Sequence, residues 1–295
     1  MKRASTEESD HQTKRTKQVL GAKSKGAIYH KEQDKQKLPF GKYIYGNYQG
    51  YYTSRRKQGN AAIDPRLDLL DGSYFDRKHI LDIGCNSGNI TLAIAKKYNI
   101  ASIEGVDIDP TLIHKANTNL RVVYSLGHPT ESTSIDLSLR FHHFPQCMTN
   151  MFGLLPIALP PNHPKPKEFP YTVEFKAADW TEAKVERTYD TILALSITKW
   201  IQLHHGDKGL KQFFKKIYDA LVPGGVFVLE PQEFSTYQRR AKQIDPSKDV
   251  NELEFRPEDY DDFLINQLGF KESRHLGIPE ERVKGFSRPV ILYIK

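Results

Sequence analysis

Between His79 and Asp109 the chain reads HILDIGCNSGNITLAIAKKYNIASIEGVDID, and its glycines and carboxylates are spaced to hold a ligand. Gly84 and Gly88 interrupt two apolar runs, so a bound molecule can approach the backbone of the turn closely. Asp82 sits in the first run. Asp107 closes the second, where its carboxylate can accept hydrogen bonds from both ribose hydroxyls of an adenosine. Dinucleotide binders space their glycines G-x-G-x-x-G so that a pyrophosphate rests on a helix N-terminus. Here Asn86 takes the middle glycine's place and Gly88 comes one residue early, so the loop departs from the dinucleotide pattern. Cys85 fits as a small residue of the loop. Asp179, after a later apolar run, is placed to meet an adenine amine, with Trp180 or Ile108 against the ring face. Thr181 and Glu182 follow Asp179, so a helix N-cap is the competing role for it.

The second constellation is Ser196-Ile197-Thr198-Lys199-Trp200, directly after the apolar run Tyr189–Leu195. A lysine there orients an anion as a point charge. Arg55, after a segment that includes Tyr45 and Tyr48, adds a bidentate grip on phosphate oxygens. Cations and phenols gathered at one place suit an anionic acceptor. A phosphate oxygen is already ionised near neutral pH and needs no general base, so catalysis reduces to positioning. The competing role for Lys199 and Trp200 is to open the next helix and cover the sheet edge. Neither Asn/Asp-Pro-Pro-Tyr, which serves exocyclic amines, nor Pro-Cys, which serves pyrimidine carbons, stands at this position.

The elements that would carry these residues alternate. Ile80, Leu81 and Ile83 form a strand, Ile90–Ile94 a helix and Ile103–Ile108 a second strand, giving one βαβ unit with its site at the carboxyl ends of the strands. A short helix is expected over Ile63–Leu70. Asp109-Pro110-Thr111 caps a helix to about Leu120. Strands follow at Val173–Phe175, Tyr189–Leu195, Val226–Leu229 and Val290–Ile294. Helices are expected at Gly209–Leu221, stopped by Pro223-Gly224-Gly225, and at Pro257–Leu268. This order predicts an α/β fold with a mostly parallel sheet, helices on both faces and an antiparallel last strand. Residues 125–170 hold many prolines and no periodicity, and are expected to be a surface insertion.

The net charge is +7 over 295 residues. Ten Lys/Arg against five Asp/Glu fall in residues 1–40, so the remainder is near neutral. The division expected is a disordered basic tail over 1–38 and one folded domain over 39–295. KRTK within the tail reads equally as a nuclear address or as a solvated run. No apolar run is long enough to span a membrane. No export signal is evident, and two cysteines alone form neither a zinc cluster nor an expected disulfide. The expectation is an intracellular protein, in nucleus or cytoplasm, with no metal.

LDIGCNSG resembles the first motif of class I methyltransferases, which bind S-adenosyl-L-methionine (SAM). Tyr45-Gly-Asn-Tyr48 with Tyr51-Tyr52 and Arg55, then VDID, ALSITKWIQLHHGDKGL, LVPGGVFVLEPQ and GFSRP, together resemble the RNA methylphosphate capping enzymes, in order over most of residues 40–295. The resemblance implies a Rossmann-like class I methyltransferase with a seven-stranded sheet. Its activity would be methyl transfer from SAM to the 5′ γ-phosphate of a small non-coding RNA, in the nucleus, with room for RNA-binding partner proteins in a ribonucleoprotein. It implies cofactor contacts from Tyr45, Arg55, Asp82, Gly84, Cys85, Asn86, Gly88, Asp107, Ile108, Asp179, Trp180 and Leu195. Lys199, Tyr45, Tyr48 and Arg55 would serve the transfer, and Lys199, Glu230, Gln232, Phe286 and Arg288 would meet the RNA. Three alternatives stay open: a 5′-monophosphate acceptor, an RNA-binding assembly factor with little turnover, and a small-molecule or protein methyltransferase.

Overall fold

The computed structural model describes residues 43–48, 51, 64–126, 146–279 and 287–295. The basic tail, Tyr52, Arg55, Phe286 and residues 127–145 of the proline-rich stretch therefore lie outside the described residues. Strands β1 (His79–Ile83), β2 (Ser102–Asp107), β3 (Val173–Ala177), β4 (Tyr189–Leu195), β5 (Leu221–Glu230), β6 (Glu272–Gly277) and β7 (Val290–Ile294) form one sheet in the order β3-β2-β1-β4-β5-β7-β6. Strands β1 to β5 are parallel, and β7 is antiparallel to both its neighbours. The order reverses between β1 and β4, which opens a crevice at their carboxyl ends.

Both faces of the sheet are covered, and alternate side chains divide between them. Leu81, Ile192, Ala194, Phe227 and Leu229 pack on Phe213, Phe214 and Ile217 of helix α4 (Thr198–Ala220). Ile80, Ile103, Leu193, Val226, Val228 and Leu292 point to the other face, against Ile90 and Ile94 of α1 (Asn89–Lys97) and Leu120 of α2 (Pro110–Ser125). Asp109 caps α2 through Thr111 N, as its sequence suggests.

Several elements differ from expectation. The helix expected from Gly209 begins eleven residues earlier, at Thr198, because the S-I-T-K-W segment is itself its first turn. Gly206 (φ 64°, ψ −170°) breaks α4 in the middle. The Ile63–Leu70 helix is a 3₁₀ turn over Pro65–Leu69, capped by Asp64. Pro257–Leu268 is a 3₁₀ turn, a short α turn and a π-helical stretch in succession. Helix α3 (Gln146–Phe152) lies inside the stretch expected to be irregular. Helix α5 (Tyr237–Ile244) and strand β6 have no expected counterpart. Only Tyr237 and Ala241 of α5 are buried, too few for a clear stripe. The sequence of β6, ESRHLG, lacks an apolar run, and its ladder to β7 makes it a strand.

Candidate active site

The turn after β1 is built from left-handed residues. Gly84 (φ 75°), Asn86 (φ 53°) and Gly88 (φ 74°) fold it back on β2. A Cβ at Gly84 would stand 2.4 Å from Ile197 Cγ2, so only glycine lets the turn pass α4. The amides of Gly84 and Cys85 both donate to Val106 O (2.7 and 3.1 Å). Asn86 N donates to Asp107 Oδ2 (2.9 Å) and Asp109 N to Asp107 Oδ1 (3.0 Å). These bonds hold the Asp107 carboxylate at the crevice. Burial raises its pKa, which the two amides partly offset. Asp82 is also buried and accepts from the Thr91 hydroxyl (2.6 Å). Burial pushes its pKa up to about 6, against the pull of Thr91 and Arg66.

A strap over 43–48 crosses this end of the crevice. Asn86 Nδ2 donates to Tyr48 O (3.2 Å), and Asn47 Nδ2 donates to Asp109 Oδ2 (2.7 Å). On the other side Tyr45 stacks on His204 at 4.7 Å, and a His204 ring nitrogen bonds Ile44 O. Gly46 lies so close to Trp200 that a Cβ there would meet the indole at 2.2 Å.

Strap, turn and strand ends enclose a cavity of about 650 Å³, within the range of small-ligand sites. Tyr45, Tyr48, Asp82, Gly84, Asn86, Asp107, Ile108, Asp179, Trp180, Leu195, Lys199, Gln232 and Arg288 all line it, as do Asn47, Ser196, Trp200, His204, Arg239 and Arg240, to which the sequence assigned no ligand contact. Asp179 does what its rival role requires as well: its Oδ1 accepts from Thr181 N (2.9 Å) and Oγ1 (2.6 Å). Trp180 is largely a core residue, edge-on to Phe213.

Three expected contacts stand elsewhere. Cys85 is buried beneath the turn against Gly105, and Gly88 opens α1 against Phe175, so both shape the turn from behind rather than line the cavity. Glu230 is fully buried and also does not line it. Its Oε2 pairs with Arg66 (2.8 Å) and accepts from the Ser196 hydroxyl. An unpaired carboxylate there would be costly, and Arg66 neutralises it. Glu230 is thus a support beneath the cavity wall at Ser196, not part of its lining.

That wall is held tightly. Ser196 has φ 63°, a conformation a non-glycine residue adopts only where its surroundings over-determine it. Its Oγ accepts from Arg288 Nη1 (2.6 Å) and from the Tyr51 hydroxyl (3.2 Å). Gln232 Oε1 accepts from Lys199 N and Thr198 Oγ1, each at 3.1 Å, and Gln232 Nε2 donates to Ser196 O. Lys199, only 5% exposed, donates to Thr236 Oγ1 (3.0 Å). Burial, then the nearby Arg288 and Arg240, lower its pKa to about 7. Ser196→Ala removes the oxygen on which Arg288 and Tyr51 converge. We expect kcat/KM for the acceptor to fall about tenfold, the scale of one hydrogen bond to a charged group. Affinity for S-adenosylhomocysteine, read by calorimetry, should be unchanged.

The cavity is electrically divided. Asp82, Asp107 and Asp179 occupy the glycine-turn end, and Lys199, Arg239, Arg240 and Arg288 the other. The arginines of α5 escaped sequence reasoning because QRRAK carries no motif. Among the described residues no His/Cys/Asp/Glu group could hold a metal, and no helix is long and apolar enough to cross a membrane.

Comparison with known proteins agrees with this geometry. Residues 189–295 match the Bicoid-interacting protein 3 (Bin3) family, and residues 80–153 match a methyltransferase domain. The U6 snRNA methylphosphate capping enzyme Amus of Drosophila melanogaster is 36% identical over 256 residues, covering 85% of this chain and 74% of that protein. The 7SK snRNA methylphosphate capping enzyme of Mus musculus is 35% identical over 277 residues, covering 86% of this chain but 41% of that longer protein. The RNA 5′-monophosphate methyltransferase of Rattus norvegicus is more distant, 24% identical over 248 residues, covering 75% of this chain and 72% of its own. On these matches the chain belongs to the Bin3 family of class I methyltransferases, the family of the RNA methylphosphate capping enzymes.

Proposed function

We propose that this protein transfers the methyl group of SAM to the 5′ γ-phosphate of a small non-coding RNA, and that it acts in the nucleus. The observation that carries this reading is the divided cavity: three carboxylates at one end, four cations at the other. SAM is the methyl donor of this fold, and the residues at the glycine turn fit it. Asp107 is positioned for the ribose hydroxyls and Asp179 for the adenine edge. The buried carboxylate of Asp82 suits the cationic methionine end.

Lys199 and Arg288, fixed by Thr236 and Ser196, hold the terminal phosphate by its oxygens. Their task is to place one oxygen about 3 Å from the methyl carbon and in line with the carbon–sulfur bond. When bound there, SAM would supply the methyl carbon, whose bond to sulfur would break with its electrons left on sulfur as the phosphate oxygen bonds to it, with no proton transfer needed. The strap over 43–48 covers the reacting end and limits water. The phosphate loses one negative charge in the product, which weakens its hold on the same cations and favours release.

The cation count and the higher identity to methylphosphate capping enzymes favour a triphosphate acceptor over a monophosphate. The test is label transfer from SAM to one RNA bearing a 5′ triphosphate, monophosphate or hydroxyl. Label on the triphosphate alone supports the proposal. Label on the monophosphate moves the chain to the other acceptor. Binding without label on any of them would overturn catalysis in favour of an assembly role.

A further inference from the structure

Helix α5 lies at the mouth of the cationic end. It packs through Tyr237 and Ala241 against Leu203, Val250 and Leu253. That leaves Arg239, Lys242 and Gln243 on the opposite face and Arg240 at its edge. Arg239 and Lys242 are exposed, and Arg240 is half-buried with its guanidinium over the Tyr48 ring at 5.1 Å. The sequence of α5, YQRRAKQI, contains no acid. Among the described residues, Arg239, Arg240 and Lys242 form no ion pair with a carboxylate. Arg240 also crowds Lys199, which is one cause of that ammonium's low pKa. Like charges gathered without counter-charges raise the folding free energy, so they are expected where an anion neutralises them.

We propose that the outer face of α5 is a guide rail for the RNA strand, holding the phosphodiesters just 3′ of the nucleotide whose phosphate accepts the methyl group. This rests on the proposed RNA acceptor. Eight helical residues span about 12 Å, over which one stacked strand presents about three phosphates. Arg239 and Arg240 both line the cavity and stand on the helix, so the rail is continuous with the acceptor wall. Lys242, one turn beyond Arg239, extends it outward. Contacts of this kind position a strand without reading its bases.

The experiment compares a 20-nucleotide 5′-triphosphate RNA with the 5′-triphosphate dinucleotide of the same start, using Lys242→Gln and Arg239→Gln/Lys242→Gln. For the long RNA we expect KM to rise about threefold in the single variant and about tenfold in the double. The slope of log KM against log salt should become shallower by about 0.7 for each cation removed. The dinucleotide KM should move much less with Lys242→Gln, the SAM KM should stay the same, and the thermal midpoint should not fall, since removing an unpaired like charge relieves repulsion. Equal shifts for both acceptors, or an unchanged salt slope, would overturn the rail. If the wild-type protein methylates neither acceptor, the proposed activity fails. The same salt slopes measured by fluorescence anisotropy of the labelled long RNA then decide the rail separately.

Discussion

Asp107→Ala should weaken binding of S-adenosylhomocysteine by at least about 100-fold. Two charge-assisted hydrogen bonds to the ribose, each worth about 1.5–3 kcal/mol, set that scale. The carboxylate also fixes the turn by accepting from Asn86 N and Asp109 N, so the alanine variant loses part of the site's preorganisation as well. Asp107→Asn separates the two effects. It keeps the side-chain volume but turns a donor toward a backbone amide or a ribose hydroxyl, and should lose most of the affinity with a smaller drop in melting temperature. Calorimetry for the ligand and circular-dichroism melts for the fold are the two readouts. Affinity within threefold of wild type in both variants would remove Asp107 from the cofactor site.

Lys199→Ala should leave cofactor affinity within about twofold of wild type and cut methyl transfer by about 100-fold or more, the usual size of losing one preorganised charge contact. Lys199 is buried in the wall of the cavity, with its ammonium held by Thr236 Oγ1 and close to Arg288 and Arg240. Its pKa of about 7 gives the pH dependence a sign. Below about pH 7 the free enzyme carries the ammonium and grips the phosphate. As pH rises through 7 the proton leaves, so kcat/KM for RNA should fall on the alkaline side. A bound phosphate raises the lysine's pKa, so the limb in kcat should lie higher than the limb in kcat/KM. Lys199→Arg, charged throughout, should abolish the limb whatever its absolute rate. The linkage to stability runs the other way. The folded state binds fewer protons than the unfolded state between about pH 7 and the ordinary lysine value near 10.4, so stability rises with pH across that window. Lys199→Met should therefore raise the melting temperature at neutral pH while abolishing transfer, the signature of a group kept for function at a cost in stability. A lower melting temperature would show that Lys199 is structural.

The sequence by itself determined the βαβ unit, the parallel sheet and the glycine-turn end of the cavity. These are local: Gly84, Gly88, Asp82 and Asp107 lie within 26 consecutive positions, and glycine turns and alternating apolar runs report their own backbone geometry. Lys199 was legible because it follows a strand. The tertiary structure alone decided the acceptor wall. Arg288 meets Ser196 across 92 positions, and Glu230 supports the same hydroxyl with Arg66 from 164 positions away. The family resemblance implied that Glu230 meets the RNA, and only its buried partner Arg66 shows that it supports the wall from beneath. Arg239 and Arg240 belong to no motif, and only the packing of Tyr237 and Ala241 on the core turns them toward the cavity. Periodicity and spacing record what a residue does with its near neighbours. The charge environment of a site is summed over the distant ones, and only the folded chain brings those together.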